Sequence, residues 1–159
     1  MRSFYKFMAN GFGSGRLPVA PGTWGAAVAL LMIYPFAHWS ILSHHQFTLF
    51  LSIIIVIFIG IGVKACDVLE EEWGKDPKQV VIDEMIGVWI AILGHPLSIF
   101  SFIASFILFR FFDIAKPLGI RQLENIKGGW GVMLDDVLAG VYANIVLQVL
   151  VASGLPELV

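Results

Sequence analysis

The chain has 159 residues, 58% of them hydrophobic and only 14% charged, with a mean hydropathy of +0.84. A soluble domain of that length has too little interior to hide so much apolar surface, so the expected class is a membrane protein. The formal charge of −2 gives no sign of a nucleic-acid partner, and a single cysteine, Cys66, excludes an intramolecular disulfide.

The first stretch, "MRSFYKFMANGFGSGRLPVAPG", has no long apolar core, so no cleavable signal peptide is expected and the apolar segments themselves act as the targeting signal. Within the loop "NGFGSGRLPVAPGTWG", the glycines, Ser14 and Thr23 offer backbone N–H groups and hydroxyls to an anion. Thr23 is placed to cap the first helix, at a dipole end suited to phosphate. The loop lacks the lysine and spacing of a P-loop, and a plain turn into the membrane is an equal reading. The first apolar segment, about 23–37, either spans or is re-entrant. The second, about 47–65, is long enough to cross ~30 Å of hydrocarbon. Beyond it, Lys64, Asp67 and the acids at 70–72 read as a solvated helix end, and Cys66 as a packing residue.

The third and fourth segments, about 80–94 and 97–112, are short and joined by "GHP", which suggests a tilted hairpin. The third begins with Asp83 and Glu84; Asp76, before Pro77, is assigned as its cap. The fourth ends in "FRFFDIAKP", where Arg110, Asp113 and Lys116 share one helical face and Pro117 ends the helix. The fifth, about 132–152, opens with Asp135 and Asp136. Asp83, Gly87 and Ala91 repeat at i+4, as do Asp136, Gly140 and Asn144. Small residues on those acidic stripes predict close packing of the two helices.

Five alternating segments with a cytoplasmic N-terminus put Arg2, Lys6, Arg16, Lys64, Lys75, Lys78, Arg110, Lys116, Arg121 and Lys127 inside. These are all ten basic residues, as the positive-inside rule requires. The tryptophans fall mostly near segment ends, as an aromatic belt would place them. Eleven of the twelve acids sort to the same side, although acids do not set topology. A site on that face would explain them.

An Asp at mid-bilayer costs about 2.5–3.5 kcal/mol, and less near the interface. Asp83, Glu84, Asp113, Asp135 and Asp136 would repel one another, with Arg110 and Lys116 as their only balancing charges. The shortfall suits a divalent cation with hard oxygen ligands, magnesium in the first instance, and leaves Arg110 and Lys116 to hold a phosphate. The bland alternative is that first-turn acids complement helix dipoles and are solvated at the interface. No thiolate phosphatase loop or aspartyl nucleophile motif is present. The four histidines fall on the outer side, so a metal-activated water with a carboxylate base is the simplest nucleophile.

The stretches "GFGSGRLPVAPGTWG", "KDPKQVVIDEMIGVW", "FRFFDIAKPLGIRQLE" and "GGWGVMLDDVLAGVYA" together resemble the phosphatidylglycerophosphatase A family. That resemblance implies one membrane domain over 1–159, a multi-pass all-α bundle of the bacterial inner membrane. It also implies magnesium-dependent hydrolysis of phosphatidylglycerophosphate to phosphatidylglycerol and phosphate at the cytoplasmic face. By position, the family's acidic residues correspond to Asp83, Glu84, Asp113, Asp135 and Asp136, and its basic ones to Arg110 and Lys116. We assign Asp83, Glu84, Asp113 and Asp136 to the metal, with Asp135 behind them or acting as the base; Ser14 and Thr23 complete the substrate site. The alternative is a small ion- or proton-coupled transporter, which the almost wholly apolar outer halves of the segments disfavour.

Overall fold

A computed structural model describes residues 1–39, 42–75 and 77–154; among them there are helices and turns and no strand. Helix α1 covers Arg2–Ala9 and is followed by a 3₁₀ stretch at Gly11–Arg16. The remaining helices are α2 (Pro21–Trp39), α3 (His44–Trp73), α4 (Ile82–Ile92), α5 (Ile99–Ala115), α6 (Ile120–Leu123) and α7 (Gly129–Ala152). Each of the five apolar segments is therefore a helix. Among the described residues two helices, α3 and α7, are long and apolar enough to cross a membrane, and the Pro21–Phe36 part of α2 is a shorter apolar stretch. The exterior is apolar too: Val56 on α3, Ile99 on α5 and Val149 on α7 are 69%, 70% and 64% exposed. Apolar surface of that extent suits lipid rather than water.

The third segment yields a helix of only eleven residues, about 16 Å long, with nine of its residues buried. It is the core helix, with α2, α3, α5 and α7 packed around it. Residues 79–81 ahead of it stay outside the helix because the end of α1 and the loop after it hold them: the Val81 N–H donates to the Ala9 carbonyl at 2.8 Å, and a Cβ at Gly15 would strike the Gln79 carbonyl.

The i+4 stripes meet as their small residues predict. A side chain on Gly140 would strike the Gly87 backbone, and one on Gly87 would strike the Phe109 ring. One turn further on, Asn144 Nδ2 lies 2.9 Å from the Ile90 carbonyl, 3.2 Å from Ala91's and 2.9 Å from Leu93's. A single amide thus serves three carbonyls at the end of α4, where helical partners run out, the Ile90 carbonyl also accepting the Leu93 N–H.

Three expectations change. Trp89 belongs to the core, not to a belt: it is 2% exposed and its Nε1 donates to the Ala29 carbonyl at 2.9 Å. The end of α3 is more than a solvated tail. Arg2 pairs with Glu71 and Lys6 with Glu72, which fastens α1, while Asp67 accepts the Gly129 N–H at 2.6 Å and caps α7. Helix α2 begins at Pro21, whose fixed φ suits a first helical position, so Thr23 lies inside the first turn instead of capping it. The proposed Asp76 cap lies outside the described residues.

Candidate active site

The N-terminal ends of α2, α4 and α7 and the C-terminal end of α5 gather at one end of the bundle, together with α1 and α6. Asp83 and Glu84 come from the first turn of α4, and Asp136 from the second turn of α7. Carboxylate oxygens of these three residues lie within 4.8 Å of one another. Oxygens around an octahedral magnesium ion, with ~2.1 Å bonds, are about 3–4 Å apart, so small side-chain movements would close the set on such an ion. Asp83 Oδ1 also accepts the Glu84 N–H at 3.0 Å, which fixes the orientation of that carboxylate.

Arg110 on α5 reaches this group. Its Nη1 pairs with Asp113 and stands 4.0 Å from Glu84 Oε1, with the Arg110 and Glu84 side chains each 17% exposed. Gly22 at the start of α2 makes room for the contact: a Cβ there would overlap the Glu84 carboxylate and press on the guanidinium. On these two side chains, Glu84 Oε2 and Arg110 Nε are buried and have no hydrogen-bond partner among the described residues. A buried polar atom left unmade costs about 1–3 kcal/mol, and more when charged. One of these atoms calls for a cation and the other for an acceptor, so an ion bound to a phosphate oxygen would satisfy both.

A second group lies alongside. The chain leaves α5 through Lys116, which caps the helix in the left-handed conformation at φ 45°, and turns into α6. Lys116 Nζ then donates to Glu124 Oε1 and Asp135 Oδ2, both at 2.6 Å. Burial alone would lower its pKa, but the bonds to Asp135 and Glu124 outweigh that and hold the lysine above its usual range. A cavity of about 260 Å³ opens beside it, lined by Lys75, Glu124, Gly131, Val132 and Asp135.

The sequence-derived residues therefore divide. Asp83, Glu84 and Asp136 form the cluster, with Asp113 and Arg110 as an ion pair against it. Asp135 and Lys116 form the neighbouring pair. The buried Ser14 hydroxyl donates to the Gly11 carbonyl at 2.8 Å and braces its own loop. Thr23 is half-buried next to Gly22. Glu124 was missed by sequence reasoning; its only signal was the turn "KPLG", which folds the chain back over α7.

A family model described as Phosphatidylglycerophosphatase A matches residues 7–151. A Bacteroides thetaiotaomicron protein named "Putative phosphatidylinositol-3-phosphatase" is 47% identical, over 89% of this chain and 90% of its own. Phosphatidylglycerophosphatase A from Escherichia coli is 36% identical over 89% of this chain and 80% of its own length. The Haemophilus influenzae protein of the same name is 38% identical over 88% and 84%. No solved structure matches the chain.

Proposed function

The chain belongs to the phosphatidylglycerophosphatase A family and is a phosphatase; from that premise we propose that it hydrolyses phosphatidylglycerophosphate to phosphatidylglycerol and inorganic phosphate, with magnesium as cofactor, at the cytoplasmic face of a bacterial inner membrane. The observation that carries this reading is the Asp83, Glu84 and Asp136 carboxylate cluster with Arg110 beside it, whose Nη1 is 4.0 Å from Glu84 Oε1 while Glu84 Oε2 and Arg110 Nε stay buried without a hydrogen bond. A transporter gains no support from the relatives.

In this reading Asp83, Glu84 and Asp136 hold the ion. Magnesium, when bound, neutralises phosphate oxygens and makes water a better nucleophile. Asp113 holds the Arg110 fork toward the cluster, so that the guanidinium can bind the phosphate through its remaining N–H groups. Asp135 and Glu124 keep Lys116 charged and in place as a second positive charge near the phosphate. Water attacks phosphorus, the bond to the glyceryl oxygen breaks, and that oxygen leaves as the hydroxyl of the product lipid. The multi-pass topology with a cytoplasmic N-terminus is supported by where the cations lie: the bundle end that carries Arg2, Lys6, Arg110 and Lys116 is also the end with the site.

The most similar of the relatives above favours a second substrate, a phosphatidylinositol 3-phosphate, with the same phosphomonoester chemistry. One assay separates the two. Purified protein is given phosphatidylglycerophosphate, phosphatidylinositol 3-phosphate or glycerol 3-phosphate, with magnesium or with a chelator, and free phosphate is measured. We expect release from the first lipid, dependent on magnesium. Preference for the inositol lipid would move the substrate assignment, and release from neither lipid would reject the proposal.

A further inference from the structure

Helices α2 and α5 are antiparallel and both rest on α4, but they touch each other sparsely. Between them lies a groove of about 590 Å³, within the ~300–1,000 Å³ range of ligand pockets. Its walls are hydrocarbon: Ala27, Leu30 and Leu31 from α2, Ile103 and Ile107 from α5. At one end the Tyr34 and Phe102 rings meet edge to face, with centroids 5.5 Å apart, and both also line it. At the other end the helices carry the site. Ile107 is one turn from Arg110, Ala27 is about 7 Å of helix from Gly22, and the Arg110 guanidinium lies close to Gly22.

We propose that this groove is the acyl-chain subsite of the phosphorylated lipid substrate. The inference rests on the lipid phosphatase reading above. Continuity with the site identifies the occupant: a molecule whose phosphate lies against Arg110 has this trough as the adjoining apolar path for its tail. The trough also opens outward, with Leu31, Ile103 and Ile107 68%, 56% and 59% exposed, so a chain can enter sideways from the bilayer. From Ala27 to Tyr34 it runs for about 10 Å, most of one ~15 Å leaflet, before the two rings meet. The far part of a long chain lies beyond those rings in bulk lipid. The chain methylenes nearest the headgroup are therefore the ones the protein reads.

The test fills the trough without touching the charged groups. Ala27→Trp and Ile103→Trp are compared with Val56→Trp, which adds the same bulk on the exposed face of α3. Substrates are dioleoyl and dihexanoyl phosphatidylglycerophosphate and glycerol 3-phosphate. We expect the groove variants to lose about tenfold or more in kcat/KM on the dioleoyl lipid, chiefly through KM, and to keep wild-type rates on glycerol 3-phosphate. Val56→Trp keeps wild-type values throughout. Equal losses on all substrates, or no loss on any, would overturn the subsite.

A second measurement is independent of turnover. Wild-type protein is photolysed with phosphatidic acid carrying a diazirine near the headgroup end of its chain, and separately with the matching phosphatidylcholine. Labelling by phosphatidic acid concentrated in 27–34 and 99–107 supports the subsite even if no substrate is hydrolysed, in which case only the activity assignment fails. Labelling spread alike over α3 and α7 by both lipids, or cross-links between two copies through this face, would contradict it.

Discussion

Asp83, Glu84 and Asp136 stand where hydrocarbon and charge meet, and their cost has to be recovered by a partner. Asp83→Asn keeps the shape and one hydrogen-bond acceptor but removes the charge. We expect it to lower magnesium-dependent phosphate release by about a hundredfold or more while the protein stays monodisperse, because electrostatic groups at a reacting phosphate contribute on that order; wild-type release would remove Asp83 from the site. Arg110→Lys preserves the charge and loses the fork, and should cost more in rate than its conservative character suggests. His95 gives a pH-dependent test away from this end. Burial, aided by His44, holds its imidazole below the usual histidine range, against the opposing pull of Asn144. The unfolded chain takes up that proton near pH ~6.5 while the folded one resists, so this contribution is intact above about 6.5 and is lost as pH falls. The melting temperature of wild type should therefore fall more steeply than that of His95→Asn between about pH 7 and 5. Parallel slopes would contradict it. The charged members of the site were legible in the sequence because acids inside apolar stretches are costly and therefore conspicuous. Ser14 is harder to read for the opposite reason: a hydroxyl in a glycine loop looks alike in sequence whether it faces a ligand or its own backbone, and in this structure it donates to the Gly11 carbonyl.

At the scale of elements, the short α4 gives the bundle its form. A helix of about 16 Å cannot cross ~30 Å of hydrocarbon, and a free end at that depth would strand its carbonyls. Protein surrounds α4 on its sides, and Asn144 meets its carbonyls at the end. Asn144→Leu should destabilise the protein by about 1–2 kcal/mol, read as a lower melting temperature in detergent; an unchanged one would show that water reaches those carbonyls. Gly140→Val should cost about 1–3 kcal/mol, since the Gly87 backbone fills the space a side chain would need. The i+4 spacing made this contact legible, because small residues at one face announce close approach. Helices α1 and α6 and the capping role of Asp67 were not. Each depends on a partner outside its own helical turn: Glu71 and Glu72 for α1 and Gly129 for Asp67 lie more than sixty residues away, and Lys116 meets Glu124 across the turn that leads into α6. Local patterns carry no record of such pairings.

For the whole molecule, the sorting of charge is the basis of the proposed orientation. With Cys66→Ser as background, Lys127→Cys should react with a membrane-impermeant thiol reagent only after the cytoplasmic side is opened, and Ser98→Cys should react from outside in intact cells; the reverse pattern would invert the topology. The proposed sidedness suits a lipid phosphate as substrate: its headgroup would lie at the interface and, with the groove as its acyl subsite, its tail along α2 and α5. The account stands or falls on whether acids from α4 and α7 share one divalent ion. Phosphate release from phosphatidylglycerophosphate, titrated with magnesium for wild type and Asp136→Asn, measures that most directly. The account predicts a saturable requirement in wild type, and in the variant a midpoint moved about tenfold or more upward with a depressed plateau. Superimposable curves, or turnover undiminished by chelation, would contradict it.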